Sequence, residues 1–283
     1  MTQNTSQNRI SEKFAGLVQN GEKALITFIT AGDPDLDTTK ELVLTLERAG
    51  ADMIELGVPY SDPLADGPII QQASQRALKS GTNLKKIFQT VADLRRETQI
   101  PIILMTYYNP LLKYGLPQIA ADAVVSGVDG FIVPDLPMEE AGEFHSLLID
   151  KGVCLIPLVA PTSGPERIKE ISAAGEGFVY CVSLTGVTGV RSGIPDNLQE
   201  FMGIVRNVTK KPLAVGFGVS TPQQAAAISE YCNAVIVGSA LVKTIGDKGK
   251  TPEMVETVYK MVKDLKEPLM AKGLKEKVSV SGR

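Results

Sequence analysis

The sequence predicts an α/β fold closed into a barrel of eight strand–helix units, and three observations carry that prediction. Short apolar runs rich in β-branched residues recur with helix-like segments between them, the pattern of parallel strands joined by crossover helices. Eight such runs can be counted, against about five or six in a typical open doubly wound sheet, and the first leads into TAGDP instead of a glycine fingerprint. The chain has 283 residues, 43% of them hydrophobic, close to the ~250 residues of a typical closed barrel. The expectation is an α/β, (β/α)8 TIM barrel with residues 1–283 forming a single domain.

Taken in order, the strands begin near Ala24 (ALITFIT), Asp52 (DMIELGV), Pro101 (PIILMTY), Asp129 (DGFIVP), Val153 (VCLIPLV), Gly177 (GFVYCVS), Pro212 (PLAVGFG) and Ala234 (AVIVGS). Amphipathic segments suited to helices fit between them, for example over residues 37–49 after the AGDPD turn, 84–98, 139–151, and 222–231, where Pro222 suits a first helical turn. Two stretches exceed a minimal barrel. Residues 10–19 read as an extra N-terminal helix, and residues 61–81 insert a loop and a helix after the second strand. Long βα loops on a barrel are where function concentrates.

Composition excludes several classes of activity. The formal net charge is −3, and the one lysine-rich stretch, residues 272–277, lies at the carboxyl end, so no basic field awaits a nucleic acid. Residues 1–9 are polar with no apolar leader, and no run approaches the ~18 apolar residues that span a bilayer, so no membrane association and a cytoplasmic location are expected. Cys154 and Cys181 fall in apolar strand-like runs and Cys232 near a helix end, with no CxxC spacing, which suits buried, reduced thiols. The single histidine, His145, sits in the amphipathic stretch EEAGEFHSLLID, as a solvated or half-buried side chain would. A metal cage and a Ser-His-Asp triad both lack parts.

In a barrel the active site forms where strands end and βα loops begin. The polar residues at those positions are Thr30, Glu55, Tyr107, Asn109, Asp135, Thr162, Ser183, Thr185 and Ser239. Glu55 is the most informative, because a carboxylate inside the strand DMIELGV is costly to bury unless something pairs it or uses it. Burial would raise its pKa into the range useful for proton transfer; a salt-bridged structural glutamate is the competing reading. The following loop, VPYSDPLADGP, brings Asp62 and Asp66 to the same strand end. Two environments could then make one carboxyl an acid and keep another ionised. Asp62 before Pro63 reads as a turn former, whereas Asp66 before Gly67 suits a turn and a functional role equally. Glycines supply the other signal: GFG at Gly216 to Gly218 ends the seventh strand, and GSA at Gly238 to Ala240 ends the eighth and opens a helix. Loops after strands seven and eight with a helix N-terminus make a phosphate site, although each glycine also serves a tight turn. Lys243, one turn into that helix, reads as solvated. The segment SLTGVTGVRSG, Ser183 to Gly193, has the composition of a mobile lid or of an ordinary exposed loop. No lysine ends a strand, so a Schiff-base aldolase lacks its amine. Acid–base chemistry on a phosphorylated small molecule remains.

Several of these segments form an ordered set. ELGVPYSDPLADGP (residues 55–68), the TAGDP turn, GVTG (residues 186–189), GFG (residues 216–218) and VGSALVK (residues 237–243) together make the chain resemble the tryptophan synthase alpha-subunit family, over about residues 14–263. The resemblance implies a barrel that cleaves indole-3-glycerol phosphate to indole and glyceraldehyde 3-phosphate, with Glu55 as general acid–base and Asp66 binding the indole N–H. It further implies that Phe28, Met105, Tyr180 and Phe217 line the indole site and that Thr188 closes onto Asp66. Gly189, Phe217, Gly218, Gly238 and Ser239 would hold the phosphate. It implies no cofactor in this chain and, as partner, a pyridoxal-phosphate-dependent tryptophan synthase beta subunit in a heterotetramer of two alpha and two beta chains. Tyr60 stands where the family often has Phe, Met105 where Leu is familiar, and Leu184 where some members carry Arg. A free-standing indole-3-glycerol-phosphate lyase, another phosphate-binding barrel enzyme and a catalytically idle activating partner are the alternative readings.

Overall fold

Each of the eight apolar runs forms a strand, and the fifth forms two. The computed structural model describes residues 8–182, 197–216 and 218–271, and within them the strands are β1 (Ala24–Thr30), β2 (Met53–Gly57), β3 (Ile102–Met105), β4 (Gly130–Ile132), β5 (Cys154–Leu155), β6 (Leu158–Val159), β7 (Val179–Val182), β8 (Leu213–Gly216) and β9 (Ala234–Val237). Neighbours pair in parallel in the order β5-β4-β3-β2-β1-β9-β8-β7-β6. The two ends of that order are halves of one run, VCLIPLV, divided at Ile156 and Pro157. Proline has no N–H to give a ladder and so tends to end one. Before it, the Ile156 N–H donates to the Phe131 carbonyl at 2.9 Å on the β4 side; after it, the Tyr180 N–H donates to the Pro157 carbonyl at 2.9 Å on the β7 side. The broken strand therefore closes the barrel, handing its pairing from one neighbour to the other.

The helices are α1 (Arg9–Asn20), α2 (Leu36–Arg48), α3 (Pro68–Lys79), α4 (Leu84–Leu94), α5 (Tyr108–Tyr114), α6 (Leu116–Ser126), α7 (Gly142–Ile149), α8 (Pro165–Ala174), α9 (Leu198–Val208), α10 (Pro222–Ser229), α11 (Ser239–Lys248) and α12 (Pro252–Lys266). Their starts are set by polar caps: Asn8, Asp35, Asn83 and Thr251 each accept a backbone N–H of the first turn, and Thr221 with Gln224 forms a reciprocal capping box. The extra N-terminal helix and the inserted helix after β2 both form, as α1 and α3. Helix α1 plugs the N-terminal mouth: Ile10, Phe14 and Leu17 pack against Ile26, Met53, Ile103 and Phe178 inside the barrel, and the Phe14 and Phe178 rings meet edge-on at 5.8 Å. Outward-facing strand residues such as Ile29, Ile54, Leu56 and Leu104 make the second apolar layer, against the helices.

A side-chain acceptor stands before every second strand run and takes a backbone N–H of the run before it. Asp52 accepts from Leu25 at 2.7 Å, Asp129 from Ile102 at 2.8 Å, Glu176 from Leu155 at 3.3 Å and Asn233 from Leu213 at 3.0 Å. In each case the acceptor's own N–H returns a bond to the same residue's carbonyl, at 2.8 to 3.0 Å. Each acceptor also meets a basic side chain: Lys266 on Asp52, Arg95 and Arg9 on Asp129, His145 on Glu176 and Arg206 on Asn233. This fourfold clamp locks strand register at the plugged rim, so the opposite rim is the one left free to vary.

Candidate active site

Along β2, alternate residues face opposite sides of the wall, so Ile54 and Leu56 meet the helices while Met53, Glu55 and Gly57 face the interior. Glu55 stands in register with Phe28 of β1 and Ile103 of β3. It is 1% exposed, and neither carboxylate oxygen has a hydrogen-bond partner among the described residues. Burial, and to a lesser degree the charge of Asp66, pushes its pKa up to about 8. Among the described residues it forms no salt bridge, which argues against a purely structural glutamate.

Asp66 lies in the loop between β2 and α3. The loop is shaped by the Asp66 N–H donating to the Pro63 carbonyl at 3.1 Å and by the Gln71 side chain donating to the Asp66 carbonyl at 2.8 Å. The Tyr107 hydroxyl accepts from the Ala65 N–H at 2.9 Å and donates to the Asp66 carboxylate. Burial raises the Asp66 pKa to about 6, with the tyrosine hydrogen bond pulling the other way. Tyr107 is itself held against Tyr60, ring centroids 5.1 Å apart, and the Tyr60 hydroxyl accepts from Asn109 at 3.3 Å. The two carboxyls are thus pushed apart, with Glu55 mostly protonated and Asp66 mostly ionised at neutral pH.

Above Glu55 a narrow cavity is lined by Phe28, Thr30, Met105, Tyr107, Asp66 and Ile70 among others. Its aromatic walls depend on glycine. A Cβ on Gly57 would stand 2.5 Å from the Phe28 ring, and one on Gly216 would stand 2.7 Å from the Tyr180 hydroxyl. Each ring occupies the volume that any other residue on the adjacent strand would fill. Tyr180 is buried beside Glu55, and that neighbouring carboxyl together with burial keeps its phenol protonated.

Across the same rim, α11 starts at Ser239 directly after Gly238, and no side chain caps its first N–H groups. Gly218 follows β8 with φ +61°, a left-handed conformation that glycine takes without strain. Bare helix N–H groups beside open backbone suit an anion.

The other sequence candidates distribute unevenly. Asp135 accepts from the Tyr108 N–H at 2.9 Å and so starts α5, Thr162 is exposed, and Asp62 is exposed and bonded to Ser61, as its reading as a turn former expects. Lys243 pairs with Asp247 on the surface, and half-buried His145 meets Glu176. Ser183, Thr185, Thr188, Gly189 and Phe217 lie outside the described residues. Ile70, Ser74 and Thr106 line the cavity without having been anticipated; the apolar stripe of α3 was visible in the sequence, but its target was not.

The model of the tryptophan synthase alpha chain family matches residues 14–270. The chain is 54% identical over 235 residues to the tryptophan synthase alpha chain of Geotalea daltonii, covering 83% of this chain and 89% of that one. It is 50% identical over 262 residues to that of Thermoanaerobacter sp. strain X514, covering 93% and 100%. Among solved structures, Mycobacterium tuberculosis tryptophan synthase superposes with a TM-score of 0.86 at 35% identity, covering 94% of this chain and 100% of that chain. A chain of the tryptophan synthase complex of Pyrococcus furiosus does so with a TM-score of 0.80 at 41% identity, covering 86% and 98%.

The buried carboxyl makes a stability prediction whose sign is fixed. Glu55 holds its proton more tightly in the folded chain, at about 8, than an ordinary exposed glutamate does near 4.5. Stability from this group is therefore present at low pH and lost as pH rises from the lower value through the higher. Urea unfolding of Glu55→Gln should show that loss removed, the variant gaining on the native chain between pH 5 and pH 9 by on the order of 4 kcal/mol at the alkaline limit. A difference that does not change with pH would mean that Glu55 titrates as an ordinary exposed carboxylate.

Proposed function

The chain belongs to the tryptophan synthase alpha chain family, and we propose that Glu55 and Asp66 divide between them the proton and charge handling of its reaction. That reaction is the carbon–carbon lyase step of L-tryptophan biosynthesis, the retro-aldol cleavage of indole-3-glycerol phosphate to indole and glyceraldehyde 3-phosphate. The observation that carries the assignment is a buried carboxyl, Glu55, with no hydrogen-bond partner among the described residues and its pKa pushed up to about 8, on the strand face whose Gly57 lines a cavity together with a second carboxyl, Asp66.

The bond to be broken dictates the sequence of steps. Protonated Glu55 delivers its proton to indole C3, which turns the ring into an electron sink and places positive charge on the ring nitrogen. Ionised Asp66 accepts the indole N–H and stabilises that charge, an interaction that strengthens toward the transition state. Glu55, now a carboxylate, takes the proton from the glycerol hydroxyl on the carbon next to C3. The C–C bond breaks, its electrons return to the ring, an aldehyde forms, and Glu55 regains its proton. Phe28, Met105 and Tyr180 supply an apolar slot for the ring. Gly218, Gly238 and Ser239, with Gly189 and Phe217 of the outlying segments, would hold the phosphate and so contribute orientation rather than chemistry. Thr188 would close over Asp66.

The pyridoxal phosphate of the family's second reaction belongs to the beta subunit, and this chain's part is acid–base chemistry. The reading for the partner is a tryptophan synthase beta subunit in a heterotetramer of two alpha and two beta chains, in the cytoplasm, with indole passed directly between subunits. The loop from β2 to α3, longer than a barrel connection requires and exposing Leu64, is offered as part of the docking face. Among the described residues no helix is long and apolar enough to cross a membrane.

Four outcomes are expected. The pH profile of kcat/KM should be bell-shaped, with an acid limb near 6 where Asp66 must ionise and an alkaline limb near 8 where Glu55 must keep its proton. Glu55→Gln should lose roughly 10²–10⁴-fold in kcat with phosphate-analogue affinity intact, and retention of more than about a tenth of native turnover would remove Glu55 from the mechanism. Titrating the beta subunit into an indole-release assay should raise kcat, and Leu64→Asp should shift that titration to higher beta-subunit concentration. A flat titration would favour a free-standing lyase.

A further inference from the structure

The cavity above Glu55 contains a hydroxyl that nothing yet described uses. Thr30 is the last residue of β1 and faces the interior two residues after Phe28. It is 3% exposed, and its Oγ1 is buried with no hydrogen-bond partner among the described residues. Four other residues share that condition, Thr27, Thr38, Glu55 and Ser172, but of the buried hydroxyls left unpaired only Thr30 lines this cavity. Hydroxyls elsewhere in the chain find acceptors readily: those of Thr90, Ser126 and Thr244 bond carbonyls three or four residues back in their helices. An orphaned buried donor at the rim of a ligand cavity is a group waiting for an acceptor.

The chemistry of the cavity limits what that acceptor can be. Phe28, Met105, Ile70 and Val58 on its walls offer none, and the hydroxyls of Ser74, Thr106 and Tyr107 are neutral acceptors, weaker than a carboxylate. The indole ring of the substrate carries a single polar group, an N–H, which is a donor and cannot accept from a hydroxyl. The phosphate end lies across the rim, where Gly218 and α11 begin. The substrate's glycerol hydroxyls are neutral acceptors, so among the described residues the strongest acceptor on the cavity wall is the Asp66 carboxylate. A carboxylate offers about four lone-pair positions. Tyr107 fills one and the indole N–H would fill a second, so about two stay open to a further donor on the cavity that Thr30 and Asp66 both line.

We propose that Thr30 is a positioning residue for the cleavage reaction: in the substrate-bound enzyme its hydroxyl donates to the Asp66 carboxylate, fixing that group's plane opposite the ring N–H and favouring its ionised form. The proposal rests on the reading of Asp66 as the indole-binding carboxylate. The groups that bear on Asp66 are Glu55 from β2 and Tyr107 from the segment after β3, to which Thr30 adds a contribution from β1. Tyr107 and Thr30 then hold the carboxylate from two elements, as a plane must be held if its orientation is to be fixed. A threonine suits the place because its methyl group fills apolar space beside Phe28 while its rotor is free to find the carboxylate.

The test uses the full chain in an indole-release assay, with Thr30→Val, Thr30→Ser, Asp66→Asn and the double variant Thr30→Val/Asp66→Asn. Thr30→Val keeps the shape and removes the donor. It should lower kcat about tenfold, a change of about 1.4 kcal/mol, with KM within about twofold. It should also move upward the acid limb of the pH profile of kcat, which reports the enzyme–substrate complex, because the ionised form of Asp66 has lost a donor there. Thr30→Ser should restore both kcat and the limb. In the Asp66→Asn background the valine should cost little more, since the group it acts through is already neutral. An unmoved acid limb in Thr30→Val, an undiminished tenfold loss in the Asp66→Asn background, or a serine that fails to rescue overturns the proposal while leaving Asp66 in place. Native kcat in Asp66→Asn overturns the reading of Asp66 itself, and the proposal with it.

Discussion

A carboxyl group buried without a partner is the constraint around which this barrel is organised. Among the described residues Glu55 meets no cation and no hydrogen-bond donor, and it is almost fully buried; a carboxylate in that setting costs several kcal/mol more than in solvent. Burial raises its pKa to about 8, which favours the protonated form at neutral pH, and on the proposed mechanism that makes a liability of stability a proton source. Closure of the sheet is what makes the setting dry. A break in the wall would let water solvate the carboxylate, and the group would return toward its ordinary range. The handover at Pro157, which joins the β4 side of the sheet to the β7 side, therefore belongs to the chemistry as much as to the fold.

The same chemical group receives the opposite treatment at the other end of the strands. Asp52 and Asp129 are as deeply buried as a rim position allows, yet each is satisfied by a backbone N–H and by a basic side chain. Removing either basic partner would leave a buried charge uncompensated, which is a far larger loss than the pair is worth as a contact. The two rims thus separate two tasks. One fixes register with a fourfold pattern of reciprocal bonds, and the other holds groups in chemically unfavourable states. A further ion pair joins the tasks: buried Asp33, after β1, holds Arg76 of α3 through two bonds of 2.7 and 2.8 Å. It anchors the helix whose preceding loop carries Asp66.

Much of this could be read in the amino-acid order, and the exceptions have physical causes. The strands were legible because parallel strands buried on both faces must be apolar and favour β-branching. Glu55 was legible because a charged residue interrupts such a run, and Ser239 because a glycine and a helix start coincide after the last strand. The division of the fifth strand was written in VCLIPLV, but a proline in a short run does not say whether the strand ends or changes partner. The glycine–aromatic contacts were hidden, because the approach of Phe28 to Gly57 depends on the register between β1 and β2. Ser74 was hidden for the same kind of reason: an amphipathic helix announces its buried face but not what that face covers. Thr30 could be listed as a strand-end hydroxyl, but only its burial and lack of an acceptor distinguish it from a threonine that serves the strand.

Everything in the mechanism turns on whether Glu55 carries a proton in the native barrel at neutral pH, and infrared spectroscopy reads that directly. Difference spectra between the native chain and Glu55→Gln, both with isotopically labelled glutamate, isolate the carboxyl stretch of this one residue. A protonated carboxyl band at pH 7, titrating away with a midpoint near 8, is the result that burial without a partner requires. A carboxylate band at pH 7, with its midpoint in the ordinary range of exposed glutamates, would contradict the account at its root.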